Sequence, residues 1–241
     1  MPAPKHSIAE QEQLILDAAA QSILESSLID FKMSSIAKNA GLSMGSVYKH
    51  IQSKEDVLVA LSVRLDQQAS RIIGDVLALP FPLPAKIVAL NLVPQEVMYS
   101  YPFSHQLLTM LNSKDLLAKA SEKWLSKLSL VSMEIRKRFK SALEEAVNNE
   151  ELMCKAEEKE ALIEEFILLQ WAVNVGSPQI LNYPHDTHIN QAETNVNVPL
   201  TLDHPLLRAI VRMTNSYPWK EPITPETLEK LEQEMIQLGL R

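Results

Sequence analysis

The chain has 241 residues, 46% of them apolar and 22% charged, which is the mix of a soluble globular protein with room for one large domain or two small ones. Five glycines nearly exclude glycine-rich phosphate loops, 5% aromatics argue against stacking platforms for single-stranded nucleic acid, and one cysteine, Cys154, excludes an internal disulfide or a cysteine-rich zinc site. The net charge of −7 argues on its face against nucleic acid. No apolar leader opens the chain and no run of about 18 apolar residues interrupts it, so a cytoplasmic protein with no membrane partner is expected.

In chain order, residues 8–27 read as a helix, with Ile8, Ile15, Ala18, Ala19 and Ile23 on one face at period 3.6. A short second helix over 34–40 has Ile36, Ala37 and Ala40 on its apolar side. Gly41-Leu42-Ser43 then makes a tight break: Gly41 suits a left-handed residue past a helix end, and Ser43 is a good N-cap. A third short helix over 44–50 turns Val47 inward, together with Ile51 just beyond it. Ser53 caps a fourth, running to about residue 78, with Asp56 three residues on as a variant of the capping box. Pro80, Pro82 and Pro84 end it. Further helices are expected near 85–100, 103–112, 115–149 (in one or two pieces), 157–176, 205–216 and 225–238, the last capped by Thr224 with Pro225 at its first position. Residues 177–204, polar and punctuated by Pro178, Pro184 and Pro199, read as a lid, an arm or a disordered stretch. No alternating strand signal occurs, so the fold is expected to be all-α.

The placement of charge says more than its sum. Lys32, Lys38, Lys49 and Lys54 lie in a window without a single acid, while glutamates crowd 144–165. A small cationic window in an acidic protein is able to hold phosphates. Together with three short helices and a glycine turn, it suggests a helix-turn-helix. In that arrangement 34–40 braces the backbone and 44–50 lies in the major groove. Met44, Ser46, Lys49 and His50 face outward, Gly45 lets the backbone come close, and Tyr48 reaches a phosphate with its hydroxyl. Lys54 adds charge at the free N–H groups of the next helix.

The run Ile36-Ala37-Lys38-Asn39-Ala40-Gly41-Leu42-Ser43-Met44-Gly45-Ser46-Val47-Tyr48-Lys49-His50, followed by Ser53-Lys54-Glu55-Asp56-Val57-Leu58, closely resembles the DNA-binding segment of the tetracycline-repressor (TetR) family of transcriptional regulators. The resemblance covers roughly residues 8–60. It implies a homodimer on a pseudo-palindromic double-stranded operator, an all-helical ligand-binding domain, and release from DNA when a small-molecule effector binds. Two positions depart from the family pattern. Lys32 stands where the family usually has a capping Ser or Thr, so either the second helix starts later, at Ser34, or Lys32 contacts phosphate without capping. Ile51 stands where the family usually has an aromatic residue, and it still packs inward. Met44 occupies a base-facing position and offers no hydrogen bond; it touches a thymine methyl or is silent.

The expected DNA-binding set is therefore Lys32, Ser34, Ser43, Met44, Gly45, Ser46, Tyr48, Lys49, His50 and Lys54. The expected organisation is a three-helix DNA-binding domain over 1–54, joined by a connecting helix to a helical ligand-binding and dimerisation domain over 55–241. Of the middle of the chain, Met98, Tyr101, Phe103, Met110, Trp124, Phe139 and Trp171 are candidates to line an apolar or amphipathic ligand pocket, although ordinary core is the plainer reading for most of them. Helix 157–176 carries two apolar stripes. Leu162, Phe166 and Val173 from it, with Leu206 and Ile210 from 205–216, are the expected dimer interface; burial of both helices within one subunit is the alternative. His185, Asp186 and His188, with His204, read as a polar loop rather than a metal site, and no cofactor is expected. Arg136, Lys137, Arg138 and Lys140 read as a salt-laced helix face beside Glu144 and Glu145. No catalytic constellation is present. A helical small-molecule-binding protein or enzyme with purely structural N-terminal helices is the competing reading, which leaves the acid-free lysine window unexplained.

Overall fold

The computed structural model describes residues 6–181 and 199–241. The described residues are helical, and their only strand-like feature is a single antiparallel bridge between Leu152 and Trp219. The chain divides into two compact units. The first comprises 1–67 and 103–131; the second comprises 68–102 and 132–241. The boundary expected at residue 54 is thus replaced by a division in which 103–131 returns to the N-terminal unit.

In the first unit, α1 (Ile8–Glu25) opens on a full capping box: Ser7 Oγ accepts from the Glu10 N–H, and the Glu10 carboxylate accepts from the Ser7 N–H. Helices α2 (Met33–Asn39) and α3 (Met44–His50) follow. Lys32 occupies the N-cap of α2 without a side-chain cap bond, so the helix begins before Ser34. Between them Gly41 has φ +66°, and the Gly41 and Leu42 N–H groups bond to the carbonyls of Lys38 and Ala37. This is the 5→2 and 6→1 pattern that closes a helix on a left-handed residue, a conformation that costs a side-chain-bearing residue energy. Ile15, Ala19, Phe31, Ile36, Val47, Ile51 and Leu61 form the buried centre. The first unit also holds α7 (Ser104–Met110), α8 (Lys114–Leu117) and the start of α9 (Glu122–Asn148), which runs on into the second. Helix α4 (Lys54–Leu77) likewise begins in the first unit and ends in the second.

The second unit adds α5 (Leu83–Ala89), a 3₁₀ turn over Leu90–Leu92 and α6 (Gln95–Met98), then α10 (Lys159–Leu181), α11 (Pro205–Thr214) and α12 (Pro225–Gln237). Here the expected helix over 85–100 is broken, and Pro94 is the cause: it has no N–H to donate and it drives Val93 into extended backbone, ψ 124°. Pro178, expected outside a helix, lies instead inside α10, which runs five residues past its expected end at 176. Two buried clusters hold the unit. One joins Val88, Leu92, Leu207, Ile210, Leu231 and Met235; the other joins Leu143, Leu152, Ile163, Phe166 and Trp219. Phe166 packs edge-on against Tyr217 and Trp219, with centroids 4.7 and 5.6 Å away.

That packing takes Phe166 and Ile210 out of the expected dimer surface. Phe166 and Ile210 are buried inside their own subunit, and Leu162 and Leu206 pack partly against these clusters, as does Val173. The most exposed large apolar residues of α10 are others: Leu168 is 54% exposed, Trp171, one turn later, 63%, and Ile180, near its end, 52%. The basic cluster of α9 is salt-laced as expected, but mainly to other partners. Arg136 pairs with Glu164 and Lys140 with Glu160, both on α10, Arg138 pairs with Glu134, and Lys140 approaches Glu144 only to 4.0 Å.

Candidate nucleic-acid interface

Helix α3 starts on Ser43, whose Oγ accepts from the Ser46 N–H at 3.1 Å. The two hydroxyls also meet at 2.9 Å, so Ser46 is half-buried and engaged with its own cap rather than free on the outer face. Met44, Gly45, Tyr48 (46% exposed) and Lys49 make up the exposed face, with no acid among them. Lys32, Ser34 and Lys38 on α2 are exposed as well. A Cβ built on Gly45 would meet only Ser43 Oγ, at 3.9 Å. Nothing among the described residues therefore requires a glycine there, although glycine in a helix costs about 0.5–1 kcal/mol relative to alanine.

Two of the expected contacts are tied down by the fold. Lys54 Nζ donates to the Ile29 carbonyl at 3.0 Å and lies 4.9 Å from the Phe31 ring centroid, so part of its donor capacity is spent inside the unit. His50 does not face outward. It is 8% exposed, with Nε2 3.2 Å from Gln11 Oε1 and Nδ1 3.6 Å from Glu12 Oε1, both on α1. Being the last residue of α3, it turns back under the helix.

Below it lies a charged cluster that no local sequence signal announces. Glu12 receives Lys123 and Lys127 from α9, the latter at 3.0 Å, and both ammonium groups lie over the indole of Trp124, 5.0 and 4.2 Å from the ring centroid. Trp124 Nε1 donates to the His50 carbonyl at 3.0 Å. Trp124, expected to line a ligand pocket in the second domain, is thus a buried residue of the first unit.

The electrostatics of Glu12 lead to a testable consequence. Partial burial opposes its ionisation, and the hydrogen bonds from Lys123 and Lys127 outweigh that, lowering its pKa from 4.5 to about 2. A folded-state pKa below the unfolded value adds stability that is complete above about 4.5 and disappears as pH falls towards 2. Glu12→Gln is expected to lower the urea midpoint relative to the native protein at pH 6, with the difference shrinking through that window. A constant difference down to pH 2 would show that charge is not the cause.

The other expected pocket residues do not gather in one place. Phe103 and Met110 belong to the first unit; Met98, Tyr101, Phe139 and Trp171 belong to the second, and Trp171 is exposed. Met110 borders a hollow of about 320 Å³ in the first unit with Leu28, Phe31 and Leu58. Of the histidine group, His204 caps α11, its Nδ1 accepting from the Leu206 N–H at 3.1 Å. His185, Asp186 and His188 lie outside the described residues, and the expected loop over 177–204 is described only at its ends, as α10 through Leu181 and as 199–204.

Residues 15–61, which span α1 from Ile15, α2, α3 and the start of α4, match the family model for bacterial regulatory proteins of the tetR family. Among solved structures, the chain is similar to Escherichia coli NemR in its reduced form, at 15% identity and a TM-score of 0.54 over 89% of this chain and 100% of that one. It is also similar to SmeT in a complex with triclosan (17% identity, TM-score 0.55, 90% and 96% covered). A transcriptional regulator from Saccharomonospora viridis in complex with choline gives 14% identity and a TM-score of 0.54, with 85% and 95% covered. At these identities the likeness is one of fold. No curated protein matches the chain.

Proposed function

We propose that the chain, whose residues 15–61 match the family model for bacterial regulatory proteins of the tetR family, acts as a homodimeric repressor that inserts α3 into the major groove of a pseudo-palindromic operator and leaves it when a small molecule binds the second unit. The observation that carries this reading is the outer face of α3, acid-free and with a glycine that the chain's own packing does not need. Lys49 and Met44 are its candidates for base edges. Tyr48, Lys32 and Ser34 are its candidates for phosphate, and Ser43 supports it by capping α3. Lys54 contributes with whatever donors its bond to Ile29 leaves over.

The choline and triclosan complexes support a small-molecule effector for proteins of this fold. In this chain Met98, Tyr101 and Phe139 are the expected pocket residues that the second unit retains. An apolar or amphipathic compound is the expected class. Its coupling to DNA has to come from tighter binding to the DNA-incompetent state, and linkage then obliges DNA to weaken effector binding by the same factor. For the dimer, the exposed Leu168 and Trp171 on α10 are the candidate contacts.

The experiment is selection of duplexes from a random pool, followed by a comparison of the native protein with Gly45→Ala. The variant is expected to be more stable by about 0.5–1 kcal/mol, because alanine favours the helix, and to bind the selected duplex at least tenfold more weakly, because the methyl group occupies the space the DNA needs. A variant that binds as tightly as the native protein would remove α3's outer face as the contact.

A further inference from the structure

We infer that Trp124 is a positioning residue for DNA recognition, holding the C-terminal end of α3 from outside the helix-turn-helix; this rests on α3 being the DNA-reading element. The last carbonyls of a helix have no donor within it, and α3, only seven residues long, has few internal bonds to resist fraying. The His50 carbonyl is such a group. It receives the Trp124 indole N–H at 3.0 Å, and the Lys123 ammonium stands 3.5 Å away. The indole is itself fixed. It is 2% exposed, Lys123 and Lys127 lie against its ring, and both are drawn to Glu12 of α1. Glu12 and Gln11 also flank the His50 ring. Backbone and side chain of the same terminal residue are thus held from α9 and α1 at once. The bonds are made at His50, in the same last turn as the exposed Tyr48 and Lys49, so they set the pitch of that face without occupying it. Neither Trp124 nor Glu12 is positioned to meet a phosphate: Trp124 is buried and Glu12 carries the wrong sign.

Trp124→Phe keeps an aromatic ring against the ammonium groups and deletes the donor together with the five-membered ring that carries it. It is expected to bind the selected duplex about fivefold more weakly, the equivalent of one ordinary hydrogen bond. The slope of log affinity against log salt is expected to stay unchanged, whereas loss of a lysine–phosphate contact lowers it by about 0.9. Glu12→Gln gives an independent arm. It removes a negative charge beside the interface, so electrostatics alone predicts tighter DNA binding; loss of the clamp predicts weaker binding. Hydrogen exchange without DNA gives the third: amides of the last turn of α3, including that of Ile51, exchange faster in Trp124→Phe, and those of α2 do not. If Trp124 is merely core, both variants leave exchange in α3 unchanged, and that result overturns the inference. Faster exchange in α3 with no loss of affinity in either variant also overturns it, because the clamp would then be irrelevant to recognition. If the native protein selects no duplex, the reading of α3 as the DNA-binding element fails and takes this role with it, while the exchange data still show whether the clamp holds the helix.

Discussion

Phe166→Glu is expected to unfold the second unit, while Trp171→Glu is expected to leave it folded and to separate the subunits of the proposed homodimer. The two residues are five apart on α10, both are large and aromatic, and their surroundings are opposite. Phe166 is 1% exposed and wedged against Tyr217 and Trp219. Truncating such a ring costs about 3–5 kcal/mol. An unpaired carboxylate left in its place adds several more. The sum is comparable with the total stability of an ordinary domain, about 5–15 kcal/mol. Trp171 is 63% exposed and makes no comparable contact among the described residues, so a glutamate there is solvated and the fold tolerates it. Its cost falls on whatever surface covers the indole. Sedimentation with circular dichroism separates the cases: a helical monomer is expected for Trp171→Glu, and loss of the cooperative transition for Phe166→Glu. A folded dimer from Trp171→Glu would place the subunit contact elsewhere. A folded Phe166→Glu would contradict the packing of the second unit.

Asp56→Ala is expected to destabilise the first unit by about 3–5 kcal/mol, the combined loss of two hydrogen bonds to a charged acceptor. Asp56 is fully buried. Its Oδ2 accepts from the Gln52 N–H at 2.8 Å, and its Oδ1 from the Ser121 N–H at 2.6 Å, joining the start of α4 to the segment just before α9. Its own N–H is capped by Ser53 Oγ at 3.0 Å. Alanine leaves two backbone donors without partners where water does not replace the carboxylate. The urea midpoint measures the loss, and the m-value is expected to stay constant. A change below about 1 kcal/mol would mean that the two N–H groups find other acceptors.

What the sequence made legible was local. The caps at Ser43, Ser53 and Thr224 and the glycine turn at Gly41 lie where a short-range reading puts them, because each depends on residues within a few positions. Even the departure at Asp56 is small: it bonds to the N–H of Gln52, one residue before the expected partner. Pro94 was a local signal that the apolar run around it concealed. The losses were at long range. His50 stands three residues after the inward Val47, a spacing that already leans it toward the buried side, but its polarity favours an outward reading until α1 closes beneath it. Trp124 sits 74 positions from the carbonyl it bonds, and nothing near it in the chain distinguishes that role from pocket or core. The two expected stripes of α10 do not separate: Phe166 of one and Ile163 and Ile167 of the other are buried in one cluster, because a helix apolar nearly all round gives no periodic clue to which side its own domain takes.

Helix α3 is the proposed element that meets DNA. The decisive measurement is anisotropy of a selected duplex and of a scrambled one, titrated from low to moderate salt with the native protein, Lys49→Ala and Tyr48→Phe. Reading by α3 predicts that Tyr48→Phe weakens both duplexes alike, while Lys49→Ala lowers affinity for the selected duplex more than for the scrambled one and so reduces the preference between them. Equal losses on both duplexes for Lys49→Ala would contradict its role in base reading, and native-level affinity in both variants would contradict DNA contact through α3.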